Sequence, residues 1–451
     1  MSTTLDDELL RDFFGSEEQR RIFDARARLQ AWLDVEKALA ETQAELGVIP
    51  AGAAARIATA CDASGYDLGE LRTEINASQH PIVPVVHALE NRAGEARRFV
   101  HFGATTQDIM DTGQSLQLRA SLVGLERDLA AAVEAARTLA RVHRDTPQAG
   151  RTHGQHAVPI TFGLKAATWL DELRRTAERL REARPRLLVA QVSGAAGTLA
   201  AYGERALEVK RGVAARLGLG DPAVPWHATR DRIAELSALA SLLAGAAQRI
   251  GAEIVHLQST EFGELAEPLQ HGHIGSSTMP QKRNPHASEA IVAKARIVHG
   301  LAATLLGNGS HRHERDMAAW AVEWLVVPQL MIVTGATVSD LRQVLEGLMV
   351  RPDRMRHNLD LTGGQIVAES LMMALDEAIG RDRAHHLLIE LTRAADESGR
   401  PFAEVVASDP RVAAHLEADR IAAALDPTRY LGASPALVDG AVADSMLEAS
   451  P

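Results

Sequence analysis

Residues 275–285, GSSTMPQKRNP, place two serines, a lysine and an asparagine in one loop bounded by glycine and proline. Gly272 and Gly275 let the backbone bend tightly and approach a ligand closely, and Pro280 and Pro285 stiffen the stretch. In such a loop the Ser276 hydroxyl can be driven towards alkoxide when Lys282 and nearby backbone N–H groups stabilise the charge. Asn284 adds an uncharged donor and acceptor for fixing a carboxylate. The combination suits removal of a proton from a carbon next to a carboxylate. The same residue types also build ordinary solvated turns, so the loop needs partners elsewhere in the chain.

Two further blocks supply them: HFGATTQDIMDT at 101–112 and GRTHGQHAVPITFG at 150–163. With these blocks in this order, the loop resembles the shared G-S-S-x-M-P-x-K-x-N-P element of the fumarase/aspartase superfamily, and the likeness continues to DPTRYLG at 426–432. The resemblance implies β-elimination from a substituted succinate to give fumarate. Taking a proton from carbon beside a carboxylate puts a second negative charge on that carboxylate, the aci-carboxylate form, so donors and a cation must already stand there.

By matching positions, the resemblance implies that Ser276 is the general base and that Lys282 and Asn284 bind the carboxylate that takes up charge. Thr105, Thr106 and Gln107, with Thr152 and Gln155, resemble the family's cradle for the substrate carboxylates. His153 matches the active-site histidine, which in several branches protonates the leaving group and in others orders water or substrate. Glu289 lies where the family places the carboxylate that orients this histidine; such a partner fixes the tautomer and raises the imidazole pKa. Arg230 and Arg315 are further candidates for carboxylate contacts, with a structural ion pair as the other reading of each. Taken alone, the 105–108 cluster also reads as a helix N-cap. The family implies no cofactor, no metal, a small dicarboxylate substrate, and a homotetramer whose active sites draw each block from a different subunit.

Two branches compete. GRTHGQHAVPITFG is similar to the adenylosuccinate lyase branch, yet where that branch carries a Ser-Ser-x-x-Arg element for the nucleotide phosphate this chain has Trp320, Ala321, Val322, Glu323 and Trp324. Lacking those donors, a phosphate dianion would be poorly paired. HERDMAAWAVEW at 313–324 resembles the carboxymuconate cycloisomerase branch, but bacterial members of that branch usually carry Trp at the position of His153. The expectation is therefore a lyase that releases fumarate from a succinate bearing a small or apolar nitrogen substituent, amine or nitro. Trp320 and Trp324 are expected to line the leaving-group side. Cycloisomerisation, adenylosuccinate cleavage and a non-enzymatic structural role stand as alternatives.

The elements that must position these residues read as helices. Between 118 and 139 apolar residues fall at 118, 122, 125, 129, 132, 136 and 139, the seam of a helix packed lengthwise against others. A second helix is expected over 163–184, stopped by Pro185; a third over 230–262; and an amphipathic one over 27–46, closed by Gly47 and Pro50. Boundaries near 112 and 350 give a helical first domain, a central helical bundle over 113–350 and a helical third domain over 351–451. The resemblance adds that the bundle has five helices and that four copies form a twenty-helix core. With aromatics at only 4% and little strand-like alternation, composition agrees with an all-α fold.

Lys plus Arg (48) against Asp plus Glu (59) leaves a net charge of −11, which provides no global field for nucleic acid or an anionic membrane surface. The single cysteine, Cys61, excludes an intrachain disulfide and fits a reducing compartment. An acidic amino terminus unlike a signal peptide leads to the expectation of a cytoplasmic protein. Among the 18 histidines no metal-ligand spacing stands out; His311 and His313 read as surface or network residues.

Overall fold

The computed structural model describes residues 7–268, 278–279 and 281–443. Helix α1 (Ala25–Glu45) starts where the Asp24 side chain accepts from the Ala27 N–H at 2.7 Å, an N-cap, and ends before Gly47, whose φ of 72° only glycine adopts without strain. Leu29, Trp32, Leu33 and Leu39 lie on its buried side, as the spacing anticipated.

Five long helices follow: α2 (Thr106–Val142), α3 (Phe162–Leu187), α4 (Asp231–Gln258), α5 (His286–Leu306) and α6 (Met317–Gly347). The 37 residues of α2 span about 56 Å at 1.5 Å per residue. All seven positions of its 118–139 seam are buried, none more than 8% exposed. Helix α3 does not stop at Pro185 but carries it in its last turn. One proline there removes a single helical hydrogen bond, and the Leu188 N–H still reaches the Arg184 carbonyl at 3.0 Å.

By length and composition alone, α4 and α6 are apolar enough to cross a membrane; 44% and 72% of their most apolar windows are buried inside the protein. Nineteen α-helices and four short strands among the described residues make the fold all-α. Strands β1 (Pro147–Thr152) and β2 (Gln155–Thr161) form an antiparallel hairpin, and β3 (Leu265–Ala266) pairs antiparallel with β4 (Met349–Val350).

The chain divides into two compact units. The first comprises Met1–Leu129, Thr176–Ala247 and Ala290–Ser339. Its core gathers Leu29, Trp32, Leu33, Ile57, Leu89, Ile109 and Trp320. The second comprises Ala130–Arg175, Gln248–Glu289 and Asp340–Pro451. Its carboxyl-terminal helices bury Leu371, Leu375, Leu391, Phe402 and Val406 against one another.

Candidate functional site

In the first unit, the amino-terminal turn of α2 is built by a reciprocal cap. The Thr105 N–H donates to Asp108 Oδ2 at 3.1 Å, and Asp108 also accepts from the backbone N–H groups of Ser193 (3.0 Å) and Gly194 (2.8 Å). His227 Nε2 lies 3.0 Å from Asp108 Oδ1. This carboxylate therefore ties the start of α2 to the 193–194 and 226–230 loops. The N-cap reading of residues 105–108 holds, and it coexists with a second use of the same residues.

That use is to hold Arg315. Its Nε donates to Gln107 Oε1 at 2.9 Å, and its Nη2 donates to Thr105 Oγ1 at 3.0 Å and to the Ala195 carbonyl at 3.1 Å. All three acceptors are neutral, and Arg315 forms no ion pair among the described residues. A guanidinium oriented but not neutralised is ready to take a carboxylate. Thr106 occupies the first residue of α2 beside this cluster. Sequence reasoning overlooked His80, whose Nδ1 is buried without a hydrogen-bond partner. Burial, assisted by the Arg315 charge, holds the His80 pKa below its ordinary value, so the ring is neutral at pH 7. A lone His-Pro pair ahead of a helix carries no sequence signal that separates it from a turn.

Arg230 has a different fate. It is 3% exposed, and its Nη1 and Nη2 lie 2.8 and 3.2 Å from the two Asp111 oxygens. Nε donates to Glu323 Oε1 at 2.9 Å, Nη2 also bonds Glu323 Oε2, and the guanidinium stacks 4.7 Å over the Trp226 ring. Of its two sequence readings, the geometry is the structural ion pair. Asp111 further accepts from Gln107 Nε2 (3.0 Å) and Trp320 Nε1 (2.9 Å). One cation thus faces two buried carboxylates. Burial pushes Glu323 above the usual carboxylate range although Arg230 pulls it down. Buried His311 closes the network, its Nε2 3.8 Å from Glu323 Oε1, while His313 is exposed.

In the second unit, Thr152 pairs with Gln155 across a two-residue turn whose central residues, His153 and Gly154, both have positive φ (51° and 74°). A non-glycine residue in that region is uncommon, and here it sets His153 at the tip of the hairpin. Thr152, His153 and Gln155 are all exposed, with no side-chain hydrogen bond among the described residues. The base of the hairpin is fixed by buried Glu264, which accepts from Gln148 (2.6 Å), Arg151 (2.5 Å) and Asn358 (2.7 Å). Burial disfavours its charge, but these donors outweigh burial and hold its pKa below the ordinary value.

Ser276, Gly272, Gly275 and Pro280 lie outside the described residues. Lys282 is exposed, and Asn284 Nδ2 lies 3.4 Å from His286 Nε2. The following helix, α5, is anchored by Glu267, whose carboxylate accepts from the N–H groups of Ala287 (3.2 Å) and Ser288 (2.5 Å), an acid at a helix amino terminus. Glu289, exposed in the first turn of α5, lies 3.4 Å from His286. The residues singled out from sequence thus form one cluster around Arg315 in the first unit. In the second, the hairpin tip presents Thr152, His153 and Gln155, and the start of α5 carries Lys282, Asn284 and Glu289.

A family model described as Lyase matches residues 15–300, and one described as Adenylosuccinate lyase C-terminus matches residues 364–441. The chain is 43% identical over 448 residues to a 3-carboxy-cis,cis-muconate cycloisomerase of Pseudomonas aeruginosa, covering 98% of both chains. It is 38% identical over 431 residues to an N-acetyl-S-(2-succino)cysteine lyase of Dickeya dadantii, covering 96% of this chain and 95% of the relative. Its fold is similar to the crystal structure of a 3-carboxy-cis,cis-muconate lactonizing enzyme from Pseudomonas putida, with a TM-score of 0.92, 40% identity and coverage of 97% and 98%.

Proposed function

The chain belongs to the fumarase/aspartase superfamily and is an enzyme of that lyase family, and we propose that it releases fumarate from a 2-substituted succinate whose leaving group departs through nitrogen. The observation that carries this reading is Arg315, oriented by Thr105, Gln107 and Ala195 yet left with its charge uncompensated. An oriented, unneutralised guanidinium beside hydroxyl and amide groups suits one carboxylate of a dicarboxylate substrate.

In this mechanism Ser276 removes the proton from the carbon beside the second carboxylate. The electron pair moves into that carboxylate, where Lys282 and Asn284 hold the aci form. Collapse of the aci form makes the carbon–carbon double bond and expels the substituent from the neighbouring carbon, and His153 gives the departing atom its proton. The products are fumarate and the free amine, or nitrite where the substituent is nitro. Thr152, His153 and Gln155, exposed and unbonded on a hairpin tip, fit a site completed by another copy of the chain. Large apolar residues exposed on the long helices, Val123, Leu242, Ile297 and Leu325 among them, fit burial in a homotetramer. The single buried Cys61 fits a cytoplasmic setting.

Cycloisomerisation of a carboxymuconate is the second reading, favoured by the 43% identical relative and by the Trp320–Trp324 pair. His153 favours elimination over it. The test follows fumarate by ultraviolet absorbance from aspartate, nitrosuccinate, argininosuccinate, adenylosuccinate and a sulfur-linked succinocysteine, with carboxymuconate loss measured in parallel. Fumarate from a nitrogen-linked member supports the proposal, and fumarate from the sulfur-linked member alone moves the leaving atom to sulfur. Carboxymuconate loss without fumarate from any member overturns elimination.

A further inference from the structure

Within the first unit a cavity of about 260 Å³ opens between α1 and α6. Its walls are apolar: Trp32, Met110, Trp320 and Trp324 contribute to them, the last two meeting edge-to-face at 4.9 Å. Among the polar groups in that lining that make no hydrogen bond within the described residues are two donors. The Arg28 guanidinium makes no hydrogen bond or ion pair among the described residues, and burial lowers its pKa with no carboxylate working against the shift. Trp324 Nε1 is buried and also unbonded. The buried indole N–H is costly to leave unpaired, and the partly exposed Arg28 guanidinium is free to take an acceptor from a ligand.

The only carboxylate in the lining does not serve Arg28. Asp111 is already saturated by Arg230, Gln107 and Trp320. The same Asp111 links the cavity to the Arg315 cluster, because Gln107 bonds both Asp111 and Arg315. Pro81, also in the wall, directly follows His80. The hollow therefore adjoins the place where the succinate half binds. Its volume falls just below the range of pockets for drug-sized ligands, so it has room for part of a substrate and not for a nucleotide.

Resting on the lyase reading, we propose that this cavity receives the leaving-group half of the substrate, and that this half has an apolar body ending in a carboxylate. Arg28 takes the carboxylate, Trp324 Nε1 donates to a carbonyl or similar acceptor, and the indole rings cover the apolar body. An apolar amino acid or dipeptide whose α-nitrogen is the departing atom has this chemistry.

The test has two arms. N-acetyl-L-leucine, which has the body and the carboxylate but no succinyl group, is titrated calorimetrically against the full-length protein, with N-acetyl-L-leucinamide as control. The acid should bind about ten- to hundredfold more tightly than the amide, the worth of one charge-assisted hydrogen bond. Arg28→Gln should erase that ratio, and Trp324→Phe, which keeps the ring and removes the N–H, should weaken the acid severalfold. In the second arm, fumarate release is compared for succinates linked through the α-nitrogen to L-leucine or to L-leucinamide, and the kcat/KM ratio should collapse in Arg28→Gln.

Equal binding of acid and amide by the wild type, or a ratio that survives Arg28→Gln in a variant with native circular dichroism, overturns the cavity assignment even where fumarate forms. Arg28-dependent binding of N-acetyl-L-leucine with no fumarate from any succinate leaves the cavity assignment standing and removes the lyase reading.

Discussion

Arg315 offers the sharpest test of the site, because its role rests on geometry that two substitutions separate. Arg315→Lys keeps the positive charge but replaces a planar fork with one flexible ammonium. That ammonium cannot hold Gln107 Oε1, Thr105 Oγ1 and the Ala195 carbonyl, now bonded at 2.9, 3.0 and 3.1 Å, and still present a second edge to substrate. Losing one charge-assisted hydrogen bond to the substrate carboxylate costs about 1.5–3 kcal/mol, roughly a ten- to 150-fold fall in kcat/KM. Arg315→Ala adds an orphaned acceptor, since buried Gln107 loses the donor to its Oε1, for about 1–3 kcal/mol more. That second cost is borne by free and substrate-bound enzyme alike, so it lowers the melting temperature, while kcat/KM falls by roughly one to two orders of magnitude. Initial rates of fumarate formation on a substrate that turns over give the values, and circular dichroism melts separate misfolding from lost binding. Thr105→Ala should cost activity in the wild type and almost nothing in the Arg315→Ala background, because Thr105 acts through Arg315. If Arg315→Ala stays within about threefold of wild type, or Thr105→Ala costs the same in both backgrounds, the carboxylate-binding role is wrong.

Ser276→Ala should lower kcat by about two to four orders of magnitude, the usual span for a general base, with the helical spectrum unchanged; persistent turnover would remove Ser276 from that role. Asp111→Ala strips buried Arg230 of one of its two carboxylates, takes the acceptor from the Trp320 indole N–H and leaves the Gln107 amide only the His227 carbonyl, a loss of about 3–5 kcal/mol. The urea midpoint should drop accordingly, and an unchanged midpoint would contradict the ion-pair reading. His101 Nδ1 lies 2.6 Å from Glu36. Burial works against its charge, but Glu36 prevails and raises the His101 pKa above its ordinary 6.5. The pair's stabilisation is complete below about pH 6.5 and fades as pH rises through the raised folded value. Glu36→Gln should therefore cost most stability in mild acid and least in alkali, and a penalty that grows with pH in thermal melts would refute this assignment.

Local sequence chemistry was enough to specify the helices. The 118–139 seam is legible because a helix brings residues three and four apart to one face, and every seam residue is in fact buried. Asp24 and Gly47 mark the ends of α1 for equally local reasons. Family membership was legible too, since three ordered blocks carry it. The hairpin under His153 was not, because its strands are short, mixed in polarity and show little period-two alternation. Its left-handed turn emerges only once Glu264, more than a hundred residues away, clamps Arg151 and Gln148. Nor could sequence distinguish Arg230 from Arg315. Both are arginines near candidate blocks, and only folding decides which meets carboxylates and which meets neutral oxygens. Asp111 and Glu323 come from two different long helices and converge on Arg230, whereas Arg315 finds a hydroxyl, an amide and a carbonyl. The charge of a side chain is written in the sequence; whether that charge is neutralised inside the fold or left free for a substrate depends on contacts between distant segments, and so on tertiary structure alone.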